Sequence, residues 1–204
     1  MTSFVLATAN PHKAQEMRDI LTSLGFDVLE RPTDAPDVDE TSDTLEGNAL
    51  LKARALSTLT NAPAVADDTG LFVDALGGRP GVYSARFAGE HASYADNVEK
   101  LLDELRGVAE GDRGARFRSV IAVAYPDGTS FTVEGVLEGT ITAVPRGDEG
   151  FGYDPVFVPV DEPARTLAEL TPQQKHTLSH RGRALRALAE KLTSERGSSR
   201  KIHL

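Results

Sequence analysis

Cysteine is absent from the 204-residue chain. That absence excludes disulfide bridges, thiolate metal sites and a cysteine nucleophile together. Long hydrophobic runs are missing too: the apolar stretch Phe4 to Ala7 is far too short for a signal peptide or a membrane span, and no basic segment precedes it. A cytoplasmic protein with no membrane partner is the expectation. Nor is there a surplus of positive charge. With 22 Lys and Arg against 31 Asp and Glu, the net charge of −9 speaks against nucleic acid as the main partner, because gripping a phosphate backbone needs a basic face. A small anionic ligand stays open, since it needs only a local cluster of Lys and Arg together with a divalent cation.

What is present is an ordinary globular composition, 40% hydrophobic and 26% charged, long enough for one sizeable core. No internal repeat or interdomain linker interrupts it, so residues 1–204 read as a single domain, with the option that a mid-chain hairpin over 115–144 forms part of a second lobe. The pattern predicts a buried strand over residues 3–8, a turn at Ala9-Asn10-Pro11, and a helix over 13–24 with Met17, Ile20, Leu21 and Leu24 on one face. Gly25 is a helix stop, and residues 27–31 read as a second strand. Residues 32–43, with two prolines and five acids, read as a loop before a helix over 44–59, and residues 62–67 as a third strand. A glycine-rich connection then leads through Val82–Phe87 to an amphipathic helix over 94–105. Pro126-Asp127-Gly128 joins two alternating segments, 115–125 and 130–144, into the hairpin, and 156–160 is a last strand. Thr171-Pro172-Gln173-Gln174 starts a helix with a capping box, and residues 195–204 read as a frayed polar tail.

The segment richest in chemistry is Ala66-Asp67-Asp68-Thr69-Gly70-Leu71. Neighbouring carboxylates at the end of an apolar strand repel each other and cost more still when desolvated, unless a cation neutralises them. The pair either holds a metal ion against a phosphate or caps the turn that Thr69-Gly70 would make. It is not the Asp-x-Asp pattern of a phospho-aspartate enzyme, so a metal-activated water is the more natural nucleophile. Upstream, Asn10, His12 and Lys13 open the first helix, where backbone N–H groups favour anions and Lys13 adds a point charge, although the same residues can simply cap the helix. Asn48 and Lys52 share a helix face after the acidic loop that holds Glu40; they read either as a solvated surface or as Glu40 ligating a metal with Lys52 on a phosphate. Downstream, Gly150-Phe151-Gly152-Tyr153-Asp154-Pro155 is a turn or a loop whose aromatics stack on a flat base while Asp154 accepts from its edge. Lys175, Ser179, His180 and Arg181 gather donors near the C-terminus. They can face one ligand only if the helix breaks near residues 176–179.

Taken in order, these segments resemble the inosine triphosphate pyrophosphatase family. The matches are Thr8-Ala9-Asn10-Pro11-His12-Lys13; Glu40 through Thr44 to Asn48-Ala49 and Lys52-Ala53; Ala66 to Leu71; Pro80 to Gly89; Gly150 to Phe157; and Lys175 with Ser179-His180-Arg181-Gly182. Thr69 stands where the family usually has Ser, and Leu45 where it usually has an aromatic. The resemblance implies an α/β fold, an elongated mixed β-sheet flanked by helices in two lobes with the active-site cleft between them, assembled as a homodimer. It implies Mg2+-dependent hydrolysis of deaminated purine nucleoside triphosphates (ITP, dITP, XTP) to the monophosphate and pyrophosphate. Asp68 would be metal ligand and catalytic base, Glu40 the second metal ligand, and Asp67 a supporting carboxylate. The substrate-binding residues would be Thr8, Ala9, Asn10, Pro11, His12, Lys13, Lys52, Thr69, Phe151, Gly152, Tyr153, Asp154, Lys175, His180 and Arg181. Among these, Lys13, Lys52 and Lys175 would neutralise phosphate charge, Phe151 would stack on the purine, and Asp154, His180 and Arg181 would read its edge. A Maf-like pyrophosphatase acting on other nucleotides and a nucleotide-binding module without turnover are the two alternatives.

Overall fold

Phe4, Val5 and Leu6 are all buried, as a strand covered on both faces requires. They form β1 (Ser3–Leu6) in a computed structural model that describes residues 3–199. The chain turns at Asn10, whose side-chain oxygen accepts from the N–H groups of His12 and Lys13 and so caps α1 (Pro11–Ser23), with Pro11 in the first turn where no N–H is needed. Met17, Ile20 and Leu21 form the buried stripe of that helix. Gly25, at φ +83°, takes the left-handed conformation that ends it and leads to β2 (Asp27–Leu29), shorter than the predicted 27–31.

Thr44 caps α2 (Leu45–Thr60) by accepting from the Gly47 N–H. Then follows β3 (Ala64–Val73), and here the structure corrects the sequence reading: the strand does not stop at Asp67 but runs through Asp67, Asp68, Thr69 and Gly70. The cause lies in the partner strand. Leu71 and Phe72 pair antiparallel with β4 (Pro80–Gly81), which keeps the backbone extended past the acids. Gly70 permits this, since a Cβ there would lie 2.5 Å from the Gly81 carbonyl oxygen. Beyond β4, Val82–Phe87 contains a short 3-10 turn at Ser84–Arg86. The buried Ser84 hydroxyl accepts from the Leu71 N–H (2.8 Å) and donates to Gly81 O (2.6 Å).

A Ser93–Asp96 capping box starts α3 (Tyr94–Glu104). β5 (Gly114–Ala124) and β6 (Ser130–Ile141) are the predicted hairpin segments, joined by a turn in which Gly128 has φ +86° and Asp127 accepts from Thr129. β7 (Phe157–Pro159) pairs antiparallel with β6. α4 (Pro172–Leu178) opens with the Thr171–Gln174 capping box, and α5 (His180–Ser199) continues past the point where the sequence suggests a frayed tail. Residues 200–204 of that predicted tail lie outside the described residues.

Among the described residues seven strands form one mixed sheet in the order β2-β1-β3-β5-β6-β7, with β4 on β3; β1 is parallel to both β2 and β3. The chain divides into two units. The first comprises residues up to Asp68, Val120–Gly135 and the chain from Arg181 onward; the second comprises Thr69–Ser119 and Val136–His180. In the first, Phe4, Leu6, Val65, Ile121 and Val123 of the strands pack against Met17, Ile20 and Leu21 of α1 and Ala184, Leu185 and Leu188 of α5. The second has its own core, in which Leu71, Val73, Leu101, Leu105, Phe117, Leu137, Val156, Phe157 and Leu167 meet.

Candidate active site

Successive side chains of a strand point to opposite faces. Asp67 therefore shares the face of Val65, which carries α1 and α5, while Asp68 points to the other side and meets α2. The β1–β3 ladder ends at Leu6↔Val65, so both acids lie just beyond the end of β1, where the chain turns into α1. This arrangement explains how two adjacent carboxylates are tolerated in a buried strand: each is in direct contact with a different cation, Asp67 with Lys13 and Arg181, Asp68 with Lys52.

Asp67 is buried and held by Lys13 of α1 (3.3 Å) and by Arg181 at the start of α5, whose Nε and Nη2 donate to one oxygen at 3.2 and 3.0 Å. Arg181, only 1% exposed, also pairs with Glu16 of α1. Burial would raise the Asp67 pKa, but Lys13, Arg181 and Lys52 outweigh it and hold the carboxyl far below the usual carboxylate range. Burial likewise works against the Arg181 charge, and Asp67 and Glu16 overcome it, so its pKa is raised.

Asp68 accepts from Lys52 Nζ at 3.0 Å and from Asn48 Nδ2 at 3.5 Å. Asn48 and Lys52 stand one turn apart on α2. The fully buried Asn48 also accepts from the Ser42 N–H (2.9 Å), which ties the preceding loop to the helix. Lys52 Nζ lies 2.8 Å from Glu40 Oε1, so Glu40 and Asp68 converge on one ammonium. Burial pushes the Asp68 carboxyl up; Lys52 and Lys13 pull it down, Glu40 pushes it up again, and the net direction is upward. Burial lowers the Lys52 pKa, but Asp68, Asp67 and Glu40 together raise it. One acid of the pair is thus a fixed anion and its neighbour a group that titrates more easily, an arrangement suited to a base. Glu40 and Asp68 are the oxygen donors placed to share a cation. Among the described residues no group of three or more His, Cys, Asp and Glu is placed to hold a metal ion.

The second unit carries another set of predicted residues. Thr69, the next residue after Asp68, has its hydroxyl 3.2 Å from that of Ser119. Asp154 accepts from the Phe151 N–H (2.8 Å) and from Lys175 Nζ (2.6 Å), and both partners of this ion pair are buried. The ammonium also lies 4.6 Å from the centre of the Phe151 ring, which Tyr94 flanks at 5.8 Å. Gly150, at φ +75°, makes this turn possible, because a Cβ would lie 2.2 Å from Asp154 Oδ2. Tyr153 is part of the core, its hydroxyl donating to Ser84 O at 2.9 Å and its pKa pushed up by burial. His180 is buried and stacks on Phe117 at 4.5 Å. The helix break between Lys175 and His180 falls at Ser179, whose backbone is extended.

The grouping differs from the sequence reading in two places. Lys175, grouped there with Lys13 and Lys52, is held by Asp154 beside Phe151; Arg181, grouped with Asp154 and His180, is held by Asp67 and Glu16. At the start of α1, the N–H groups of His12 and Lys13 donate to Asn10, and Thr8 Oγ1 accepts from the Asn10 N–H. Three contributors carry no clear functional signal in the sequence. Glu16 lies three residues from Lys13 on α1, a spacing that marks a shared face; Asn48 shows only its spacing to Lys52; Ser119 carries no local signal.

A family model described as the Ham1 family matches residues 4–191. The chain belongs to the Ham1 family. Curated members most similar to it include a dITP/XTP pyrophosphatase of Bacillus subtilis, 46% identical over 94% of this chain and 98% of that protein. Another dITP/XTP pyrophosphatase, from Streptomyces avermitilis, is 49% identical over 92% of this chain and 96% of its own. Among solved structures, a HAM1 protein from Coxiella burnetii superposes with a TM-score of 0.84 at 41% identity, covering 95% of this chain and 100% of the other. The family resemblance drawn from the motifs and the mixed α/β fold are both borne out. The Ham1 family's match takes in every predicted site residue, from Thr8 to Arg181.

Proposed function

We propose that this chain hydrolyses the triphosphates of deaminated purines, dITP, ITP and XTP, to the monophosphate and pyrophosphate. The coarse part of this assignment, a nucleoside triphosphate pyrophosphatase, rests on family membership and on relatives of that activity aligned over nearly the whole chain. Membership of the Ham1 family also speaks against the Maf-like alternative. The single observation that carries the mechanism is the division of the Asp67-Asp68 pair between two settings: Asp67 is pinned by Lys13 and Arg181, whereas Asp68 pairs with Lys52, an ammonium it shares with Glu40.

In this reading Asp68 takes the proton of the water that attacks the anhydride between the α- and β-phosphates, and pyrophosphate leaves. Lys13 and Lys52 face the developing phosphate charge. Thr69 supplies a hydroxyl, and capping by Asn10 fixes the start of α1 and with it Lys13. Phe151 stacks on the purine, and Asp154, with Lys175 bound to it, and His180 recognise its edge, while Arg181 holds the Asp67 carboxylate in place beside Lys13. A 6-oxo group accepts a hydrogen bond, whereas adenine offers an amino donor there; a buried donor left unpaired costs about 1–3 kcal/mol, which is roughly tenfold to hundredfold in rate.

Glu40 and Asp68 fit Mg2+, an ion that takes hard oxygen ligands, usually one or two carboxylates completed by phosphate oxygens and water. Bound there, it would lower the pKa of its water and offset phosphate charge. A homodimer remains the proposed assembly, to be checked by light scattering. Among the described residues no helix is long and apolar enough to cross a membrane.

Pyrophosphate release from dITP, ITP, XTP, GTP and ATP with Mg2+ tests the reading. Release from the first three well above the last two is expected. Equal rates on all five would overturn the specificity, and tight binding of ITP with no release would leave a binding module.

A further inference from the structure

The Lys52 ammonium stands where a cation shared by Glu40 and Asp68 would be drawn, 2.8 Å from one carboxylate and 3.0 Å from the other. It is no surface pair: the Lys52 side chain is 12% exposed and that of Asp68 7%. In the first unit four carboxylates, Glu16, Glu40, Asp67 and Asp68, share three basic groups, Lys13, Lys52 and Arg181, so taking away one positive charge leaves a strongly anionic cluster. Lys52 sits on a long stem whose other end is fixed in α2, so its ammonium can change partners while the helix stays in place.

We propose that Lys52 is the resident counter-ion of the Glu40–Asp68 pair, and that it yields to a divalent ion only when nucleotide phosphates are present to receive its ammonium. The proposal rests on the metal assignment made above and adds an order of events to it. A fixed positive charge about 3 Å from both carboxylates opposes entry of a second cation, because like charges repel most where water is scarce. A triphosphate removes that opposition by offering Lys52 stronger acceptors. Free Mg2+ should therefore bind poorly to the nucleotide-free chain. The chain should also stay folded without metal, since its carboxylates already have a counter-charge.

The test is Mg2+ binding to the full nucleotide-free chain by titration calorimetry, with Mn2+ paramagnetic relaxation as a second readout. Lys52→Met should bind Mg2+ at least about tenfold more tightly than wild type, because the opposing charge is gone. Lys52→Arg, which keeps the charge, should stay within a few-fold of wild type. Metal-free Lys52→Met should melt lower, and Mg2+ should raise its Tm more than that of wild type. Unchanged or weaker Mg2+ binding by Lys52→Met would overturn the proposal. Should that variant not fold, Lys52→Gln takes its place under the same criterion: Mg2+ must bind the nucleotide-free variant at least about tenfold more tightly than wild type, and equal affinities refute the idea. Pyrophosphate release is measured separately, so an inactive chain would sink the functional reading while the metal titration still judges Lys52.

Discussion

Asp67 and Asp68 are neighbours in sequence with opposite energetic signs. The Asp67 pKa is depressed in the folded chain, so its ionisation contributes stability that is complete above the unfolded value of about 3.9 and is lost as pH falls below it toward the folded value. Asp67→Asn leaves Lys13 and the buried Arg181 short of a counter-charge and should cost about 3–5 kcal/mol at pH 7. The difference in Tm between that variant and wild type should narrow as the medium is made more acidic than about pH 3.9. The Asp68 pKa is raised, so the folded chain holds its proton more tightly than the unfolded one, and ionisation subtracts stability as pH climbs from about 3.9 through the folded value. Asp68→Asn should accordingly lower turnover by about 10²–10⁴-fold while leaving the metal-free Tm at pH 7 unchanged or higher. Thermal melts and pyrophosphate assays on the two variants, side by side, separate these roles. A large loss of Tm in Asp68→Asn would count against the division.

At the scale of elements, what was legible in the sequence followed from local rules. Caps at Asn10 and Thr171 and the turn at Pro126-Asp127-Gly128 are short-range chemistry, and the structure has each of them. The extent of β3 was not legible, because Thr69-Gly70 looks like a turn until β4 supplies the antiparallel partner ten residues on. Gly70 is there for the close approach of another backbone, not for bending. Gly70→Ala would press a methyl group on the Gly81 carbonyl, and we expect a loss of about 1–3 kcal/mol, read by chemical denaturation. Little or no loss would mean that β4 can shift freely. The partners of Arg181 were hidden for a similar reason: Glu16 and Asp67 are 165 and 114 residues away from it. Spacing can place a charge on a face, but not name the carboxylate it meets across the fold.

For the whole molecule, the acidic balance of −9 coexists with a local cluster of Lys13, Lys52 and Arg181 in the first unit. A net negative charge speaks against a polyanion as the main partner without speaking against a small anionic one. Among the described residues two carboxylates, Glu40 and Asp68, converge on Lys52, so for the Mg2+ proposed there affinity should be modest and chelation effective. EDTA is expected to abolish pyrophosphate release, Mg2+ to restore it, and the melting curve without nucleotide to move little in either case. Activity that survives exhaustive chelation would remove the metal from the reaction.

The division of the chain has a consequence for heredity rather than catalysis. Polypeptide enters the second unit at Thr69, returns at Val120, leaves again at Val136 and comes back at Arg181. Neither unit is a continuous stretch of gene, so no deletion, fusion or recombination at a single point can transmit one without the other. Such a fold can be copied, lost or inherited only entire, and variation has to reach it by substitution and by insertion at its turns.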